Sequence, residues 1–548
     1  MRVPLGWLRE YVDLPQDAAA IAERLAMLGF PVDSIETRPP ITGVVVGKIV
    51  ALEKHPNADR LQVARIDAGG DRPLTVATAA TNVATGQTIA VATIGAQLPQ
   101  LKIEPRKMRG IASEGMMISA EELALPREWF EDGILQLEPD RQSGSDVVAL
   151  FGLDDPVLDV EITSNRVDAM SMIGLARELA ASYGVALRLP SLENPGTGEA
   201  PVDEDPSVAI ETPDCLRFVA QRFDGITVGT APAWMRVRLA LAGQRPIDSI
   251  VDVSNYVMLE TGQPLHFYDA ARIDGDRLIV RDARDGERLT TLDGVERTLE
   301  PSALVIADTR RALGLAGVMG GADSEVRAGT TSIVLESASF DGTRVRRTAK
   351  ALGLRSEASS RHEKSPALAL ADMGAARAAQ FLQALGARAY APRAFGNGVR
   401  PAEAIVLRAA DVARLLGMAL APERIASHLT ALGCSVFTSG QELSVTPPPW
   451  RNDLAIVADL IEEVARMEGY DRIEAVEPAV PAHAISSAAF ERENAAAHAL
   501  AALGYREIVG HSLHGAQPLD KSAKAGLAFD APLEVLNPLS EDQRYLRA

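Results

Sequence analysis

The chain has 548 residues, length for roughly three to five domains, and its 47% apolar and 24% charged residues are those of an ordinary globular protein. Its 74 acidic and 55 basic residues give a net charge of −19, which excludes indiscriminate phosphate binding but leaves room for a local basic stripe. Two distant cysteines, Cys215 and Cys434, exclude a disulfide scaffold and a cysteine-rich zinc site, and read as reduced packing thiols.

The first thirty residues carry charges throughout and lack the apolar core of a signal peptide. No run of about 18 apolar residues occurs anywhere in the chain. The expectation is a soluble cytoplasmic protein. In "IAERLAMLGFPV", Ile21, Leu25 and Leu28 share one helical face, and Gly29 suits the left-handed position that ends a helix before a strand. The same helix, glycine and strand pattern returns at Gly386, Gly433 and Gly504, at irregular intervals that exclude a solenoid.

After the linker "ETRPPITG" (36–43), residues 41–120 alternate short β runs with turn signals, which predicts a small closed barrel. Basic and polar residues gather in "EKHPNADRL" (Lys54, Asn57, Arg60) and "LKIEPRKMRG" (Lys102, Arg106, Lys107, Arg109). Barrels of this size are common nucleic-acid platforms, and exposed basic loops are also often merely solvated. The Pro-, Gly- and acid-rich stretch 189–207 is the clearest domain break, and "FGNGVRPAEA" and "VEPAVPAHA" mark two more.

Residues 210–345 alternate strands with turns such as Asp293-Gly294. "GQPLHFYDA", "LAGVMGGADSEV", "IVLESASFD" and "GLRSEASSRHEK" bring a histidine, a glycine-rich turn and a carboxylate into one region. Those groups suit a small-molecule pocket or a packed α+β core with a capping His and a surface Glu. The glycines match neither a phosphate loop nor a dinucleotide fingerprint.

In "PPPWRNDLAIVADLIEEVARMEGYDRI" (447–473), Leu454, Val457, Leu460, Ile461 and Val464 form one apolar helical face. Asp459, Glu462 and Glu463 sit opposite, Asp453 lies near the expected helix start, and Glu462 and Arg466 are spaced to pair. A solvated helix with a capping Asp accounts for this pattern. So does a hard divalent cation relieving the repulsion between neighbouring carboxylates.

Taken in order, these blocks resemble the β subunit of phenylalanyl-tRNA synthetases. "VVVGKIVALEKHPNADRLQVARID", "NVATGQTIAVATIGAQLP" and "MRGIASEGMMISAEEL" are similar to the tRNA-binding OB-fold of several synthetases. The central block resembles the family's editing domain, which hydrolyses mischarged tyrosyl-tRNA. The resemblance implies Glu336 as partner of the tyrosine hydroxyl, with His266, Gly320, Ser356 and Ala358 lining the pocket. Ser356 stands where the family often has threonine, and "RHEKSPAL" replaces the family's Arg-Phe-Glu-Arg-Gly-Val-Asp-Pro. "PPPWRNDLAIVADLIEEVAR" is close to the family signature in which Asp453, Asp459, Glu462 and Glu463 match Mg²⁺ ligands shared with the α subunit.

The implied fold is α+β and multidomain. It comprises an N-terminal α+β segment (1–38), an OB-fold β-barrel (39–150) and a return segment packing on the first (151–190). An editing-type α+β domain (208–396) and a winged-helix-like domain with the Mg²⁺ site (401–476) follow. The start of a catalytic-like α/β domain (482–548) comes last, where "VLNPLSEDQRYLRA" stops inside a family motif and carries Leu546 in place of methionine. The chain therefore reads as a subunit truncated at Ala548. The implied complex is an α2β2 phenylalanine–tRNA ligase using ATP, phenylalanine and tRNA(Phe), with the activation site on the α subunit. No catalytic residue for aminoacylation is expected in this chain, nor any membrane partner. The alternative is a stand-alone tRNA-binding or trans-editing module without ligase activity.

Overall fold

A computed structural model describes residues 1–200, 207–477, 479, 487–527 and 531–547. Residues 201–206 of the expected break at 189–207, and 478 and 480–484 of "VEPAVPAHA", lie outside the described residues, as does Ala548. The chain forms two units, Met1–Glu474 and Ala475–Ala548.

In the first unit, strand Val157–Val160 lies between Arg2–Pro4 and Val32–Glu36 in an antiparallel sheet. Ile21, Leu25 and Leu28 of the first long helix are buried as their spacing requires. Gly29, Gly386, Gly433 and Gly504 all have φ between +89° and +95°, the left-handed value a helix-ending glycine adopts without strain.

Residues 42–117 form a five-stranded antiparallel sheet in the order Leu74–Thr78, Gln62–Asp67, Thr42–Lys54, Thr88–Gln97, Gly115–Met117. Its edges meet, because Glu114 N–H donates to Thr75 O (2.8 Å) and Ala77 N–H to Ser113 Oγ (3.2 Å). This barrel-like closure removes the open edges that would otherwise invite association. Its strands bury Ile49, Ala64, Ile66, Val76 and Ile89 on one face.

The central region holds two five-stranded sheets. One runs Ser207–Ile210, Arg277–Asp282, Leu304–Ala307, Ala312–Leu315, Met319–Gly320. The other is built on Leu265–Asp269, Ser332–Phe340, Cys215–Asp224 and Arg388–Ala389, with Arg393–Gly396 also on Cys215–Asp224. Helices Ser249–Thr261 and Leu368–Ala384 share one buried apolar cluster with the second sheet. Cys215 and Cys434 are buried and free.

The last part of the first unit is an antiparallel sheet, Ile405–Arg408, Glu442–Thr446, Ser435–Ser439, covered by helices Pro422–Ala431 and Val457–Glu468. The second unit contains helices Ala488–Ala502 and Ala516–Lys524, and Leu513–His514 pairs with Tyr545–Leu546. No described helix is long and apolar enough to cross a membrane.

Candidate functional site

The two central sheets face a pair of adjoining cavities. Strand register sets His266 opposite Glu336. Both residues line a small inner cavity of about 70 Å³ with Tyr268, Gly317, Ala358 and His362. His266, Gly320 and Ala358 also line an outer cavity of about 600 Å³, where Ser356 joins them. The five residues expected to form one pocket are thus brought together, Glu336 at its inner end and Ser356 in its outer part.

Each is positioned by local structure. Ser356 caps the short helix Glu357–His362: its Oγ accepts from Ser359 N–H (3.0 Å) and donates to Val318 O (2.6 Å). A Cβ at position 320 would lie 2.2 Å from His266 Cε1, so only glycine lets the imidazole pack onto this strand. Glu336 Oε2 accepts from the Tyr268 hydroxyl (2.5 Å), its one hydrogen bond among the described residues.

Burial changes the titration of these groups. Desolvation pushes the Glu336 carboxyl up to about 7, against the opposing effect of the Tyr268 hydroxyl. Burial lowers His266 to about 4, and burial plus the neighbouring Arg361 lowers His362 to about 3. Both imidazoles are therefore neutral near pH 7. His266 Nε2 and His362 Nδ1 are buried with no hydrogen-bond partner. Such groups cost free energy while they stay unpaired.

Sequence reasoning missed Tyr268 and His362. Tyr268 follows His266 by two residues in a strand, so alternation places both on one face. His362 carried only the signal of standing where the resembling sequences have phenylalanine.

On the barrel-like sheet, Asn57 Nδ2 donates to Arg109 O (3.2 Å), and His55 Nε2 lies 3.0 Å from Met108 O. These bonds join the 54–60 loop to the hairpin of Arg106–Met108 and Ile111–Ser113. Lys54, Arg60, Arg106, Lys107 and Arg109 are exposed, with no ion pair among the described residues. Lys102 is exposed on a different turn, closed by Gly95 N–H to Ile103 O (2.7 Å).

The carboxylate segment differs from its helical reading. The helix spans Val457–Glu468, so Asp453 lies before it and caps nothing. Asp459 does the capping: its Oδ2 accepts from the N–H groups of Ala455 and Ile456, each at 2.8 Å. Asp453 takes a two-pronged contact from Arg451 (2.8 and 2.9 Å), which also reaches Glu463 (2.8 Å). The expected Glu462–Arg466 pair is replaced by Arg466 bonded to Glu463 (2.5 Å) and to Glu178 (2.9 Å). Burial alone would raise Glu463, but Arg466 and Arg451 hold it below the usual carboxylate range.

Glu463 is buried, whereas Glu462 is exposed and has no partner among the described residues. The four carboxylates do not assemble into a cage here, and no group of three or more His, Cys, Asp or Glu among the described residues is placed to hold a metal. The guanidinium groups of Arg451 and Arg466 neutralise Asp453 and Glu463.

Comparison with known proteins gives four family matches along the chain. They are a putative tRNA binding domain (44–146), a B3/4 domain (214–387), a tRNA synthetase B5 domain (405–470) and a phenylalanyl tRNA synthetase beta chain CLM domain (473–548). The phenylalanine–tRNA ligase beta subunit of Moorella thermoacetica is 42% identical over 561 residues, covering 100% of this chain and 69% of that protein. That of Anaeromyxobacter dehalogenans is 41% identical over 558 residues, covering 100% and 68%. The cavities lie within the B3/4 match, the basic loops within the tRNA-binding match and the carboxylate helix within the B5 match. With the whole of its length aligned at this identity, the chain belongs to the phenylalanine–tRNA ligase β-subunit family.

Proposed function

We propose that this chain works as the β subunit of an α2β2 phenylalanine–tRNA ligase, and that its central domain removes tyrosine from mischarged tRNA(Phe). The complex attaches phenylalanine to tRNA(Phe) at the expense of ATP, with activation on the α subunit. The domain limits 1–38, 39–150, 151–190, 208–396, 401–476 and 482–548 accompany this reading, with an OB-fold at 39–150, a winged-helix-like fold at 401–476 and the start of a catalytic-like domain at 482–548.

The observation that carries the editing role is the buried polar end of the pocket, where Glu336 has a single hydrogen-bond partner among the described residues. Tyrosine differs from phenylalanine by one hydroxyl. A buried polar partner for that hydroxyl rejects the analogue lacking it far more strongly than an apolar pocket can. Glu336 receives the hydroxyl, and the outer cavity admits the aminoacyl ester. A water oxygen then bonds to the ester carbonyl, the bond to the ribose oxygen breaks, and the proton leaves with the ribose hydroxyl. The basic loops 54–60 and 106–109, with Lys102, contact tRNA phosphates.

The metal reading takes a narrower form. Asp453 and Glu463 are committed to Arg451 and Arg466, which leaves Glu462 as the exposed carboxylate. A Mg²⁺ at this helix would be held by Glu462, with Asp459 beside it and its other ligands from the α subunit, and no step of the hydrolysis passes through it.

The test is hydrolysis of tyrosyl-tRNA(Phe) by this chain assembled with an α subunit. Glu336→Ala is expected to slow it by about a hundredfold, the scale of losing a hydrogen bond made at the discriminating group. Equal rates for parent and variant would sink the editing role. Failure to form any complex with an α subunit on a sizing column would sink the ligase role and leave the pocket standing.

A further inference from the structure

His362 has no role in the pocket as the sequence describes it, yet the fold invests in its position. The ring packs against Phe340 with centroids 5.3 Å apart. Gly317, at φ +68°, clears the space beside it, since a Cβ there would lie 3.0 Å from His362 Cδ2. Arg361, fully buried, anchors this end of the helix through Glu357 Oε2 (2.8 Å) and Met170 O (3.1 Å). The imidazole is 3% exposed, lines the inner cavity with Glu336, and keeps Nδ1 without a partner.

A neutral imidazole offers one donor and one acceptor, so it can complement a hydroxyl or a water in either sense. A phenyl ring at 362 would fill similar space and leave no orphan nitrogen. The inner cavity, about 70 Å³, has room for about two water-sized groups. One is the hydroxyl that Glu336 receives. The second lies within a lining that includes the imidazoles of His266 and His362.

We propose that His362 is a specificity-determining residue of this pocket, contacting the ligand hydroxyl alongside Glu336, directly or through one ordered water. This rests on the editing reading above. His362 acts on the hydroxylated end of the amino acid and not on the ester, so it governs which acyl group is accepted and not the hydrolytic step itself.

The experiment compares hydrolysis of tyrosyl-tRNA(Phe) and phenylalanyl-tRNA(Phe) by the chain assembled with an α subunit, for the parent, His362→Phe, His362→Gln and Glu336→Ala. The expected result for His362→Phe is a tyrosyl-to-phenylalanyl ratio of kcat/KM reduced about tenfold, the scale of one hydrogen bond. His362→Gln, which keeps a donor and an acceptor, restores most of the ratio. A purely structural role would lower both rates together and leave the ratio fixed, and that outcome overturns the proposal. So does an unchanged ratio in His362→Phe while Glu336→Ala abolishes discrimination, which leaves the editing reading intact. If Glu336→Ala also discriminates like the parent, both readings fall together.

Discussion

The Arg451–Glu463–Arg466 network and the His266–Glu336–His362 pocket are both buried and polar, but they resolve burial in opposite ways. In the network every carboxylate meets a guanidinium. Glu463 lies between Arg451 and Arg466, Glu178 between Arg466 and Arg166, and Asp168 beside Arg166 at 2.9 Å. Arg466 also donates to Leu28 O (2.9 Å), which ties the carboxylate helix to the N-terminal segment. In the pocket no cation faces Glu336, and two imidazole nitrogens have no partner. A satisfied buried network is scaffold. An unsatisfied one costs stability and is retained where a ligand completes it.

The largest effect should come from breaking the scaffold. Arg451→Ala leaves Glu463 and Asp453 without their shared guanidinium, and removing one partner of a buried pair costs about 3–5 kcal/mol. Denaturant unfolding should show that loss, and a second change, Asp453→Asn, should recover part of it by removing the charge whose guanidinium is gone, since Glu463 keeps Arg466. An Arg451→Ala chain as stable as its parent would make the network decoration and erase the contrast.

The pocket should instead show its cost through pH. Glu336 rises to about 7 on folding, from 4.5. Folding therefore favours its protonated form, and stability is lost as pH rises from 4.5 through 7. The full cost above that range is about 3 kcal/mol at most. Glu336→Gln should be the more stable chain at pH 8 and close to its parent at pH 4, read from urea midpoints. His266 and His362, lowered to about 4 and 3, act on the other side: their stability is present above 6.5 and lost as pH falls. Glu463 and Glu178, held low, also lose stability only in acid. Asp252, which burial also raises to about 7, adds its own alkaline loss, so the pocket's share is the part of the alkaline sensitivity that Glu336→Gln removes.

What was legible in the sequence follows the same line. Local devices could be read directly. The four helix-ending glycines have the backbone their position demands, and Leu454, Leu460, Ile461 and Val464 are buried on the face their spacing gives. The five pocket residues, named by resemblance and not by spacing, are brought together by register between strands far apart in the sequence, which no local pattern encodes. The carboxylate helix was misread where its partners are remote. Periodicity set Glu463 beside Asp459 and Glu462 on the solvent face, but Arg451 and the distant Glu178–Arg166 pair draw that region inside. The helix also begins later than its charges suggested, because Asp459 gathers the N–H groups of Ala455 and Ile456.

That capping contact gives a smaller prediction. Asp459→Ala frees two backbone donors at a helix start and should cost about 1 kcal/mol. If Asp459 also served as a Mg²⁺ ligand in the complex with an α subunit, the loss would exceed this in Mg²⁺ and match it in a chelator. Unfolding the complex in both buffers separates the capping role from the metal role.

The smallest effect belongs to a third kind of polar region, one that is unpaired but not buried. Lys107 is exposed on the basic hairpin, with no ion pair among the described residues. Water solvates it at no cost to folding, so Lys107→Ala should leave stability within about 0.5 kcal/mol of the parent. Its contribution should emerge only with tRNA. Losing one phosphate contact weakens binding at low salt and reduces the slope of log K against log salt by about 1. Binding titrations across a salt series measure that slope. His362→Phe should leave it unchanged, because a buried neutral imidazole displaces no counterions. A salt slope altered by His362→Phe, or unaltered by Lys107→Ala, would mean that exposure and burial do not divide phosphate binding from side-chain recognition in this chain.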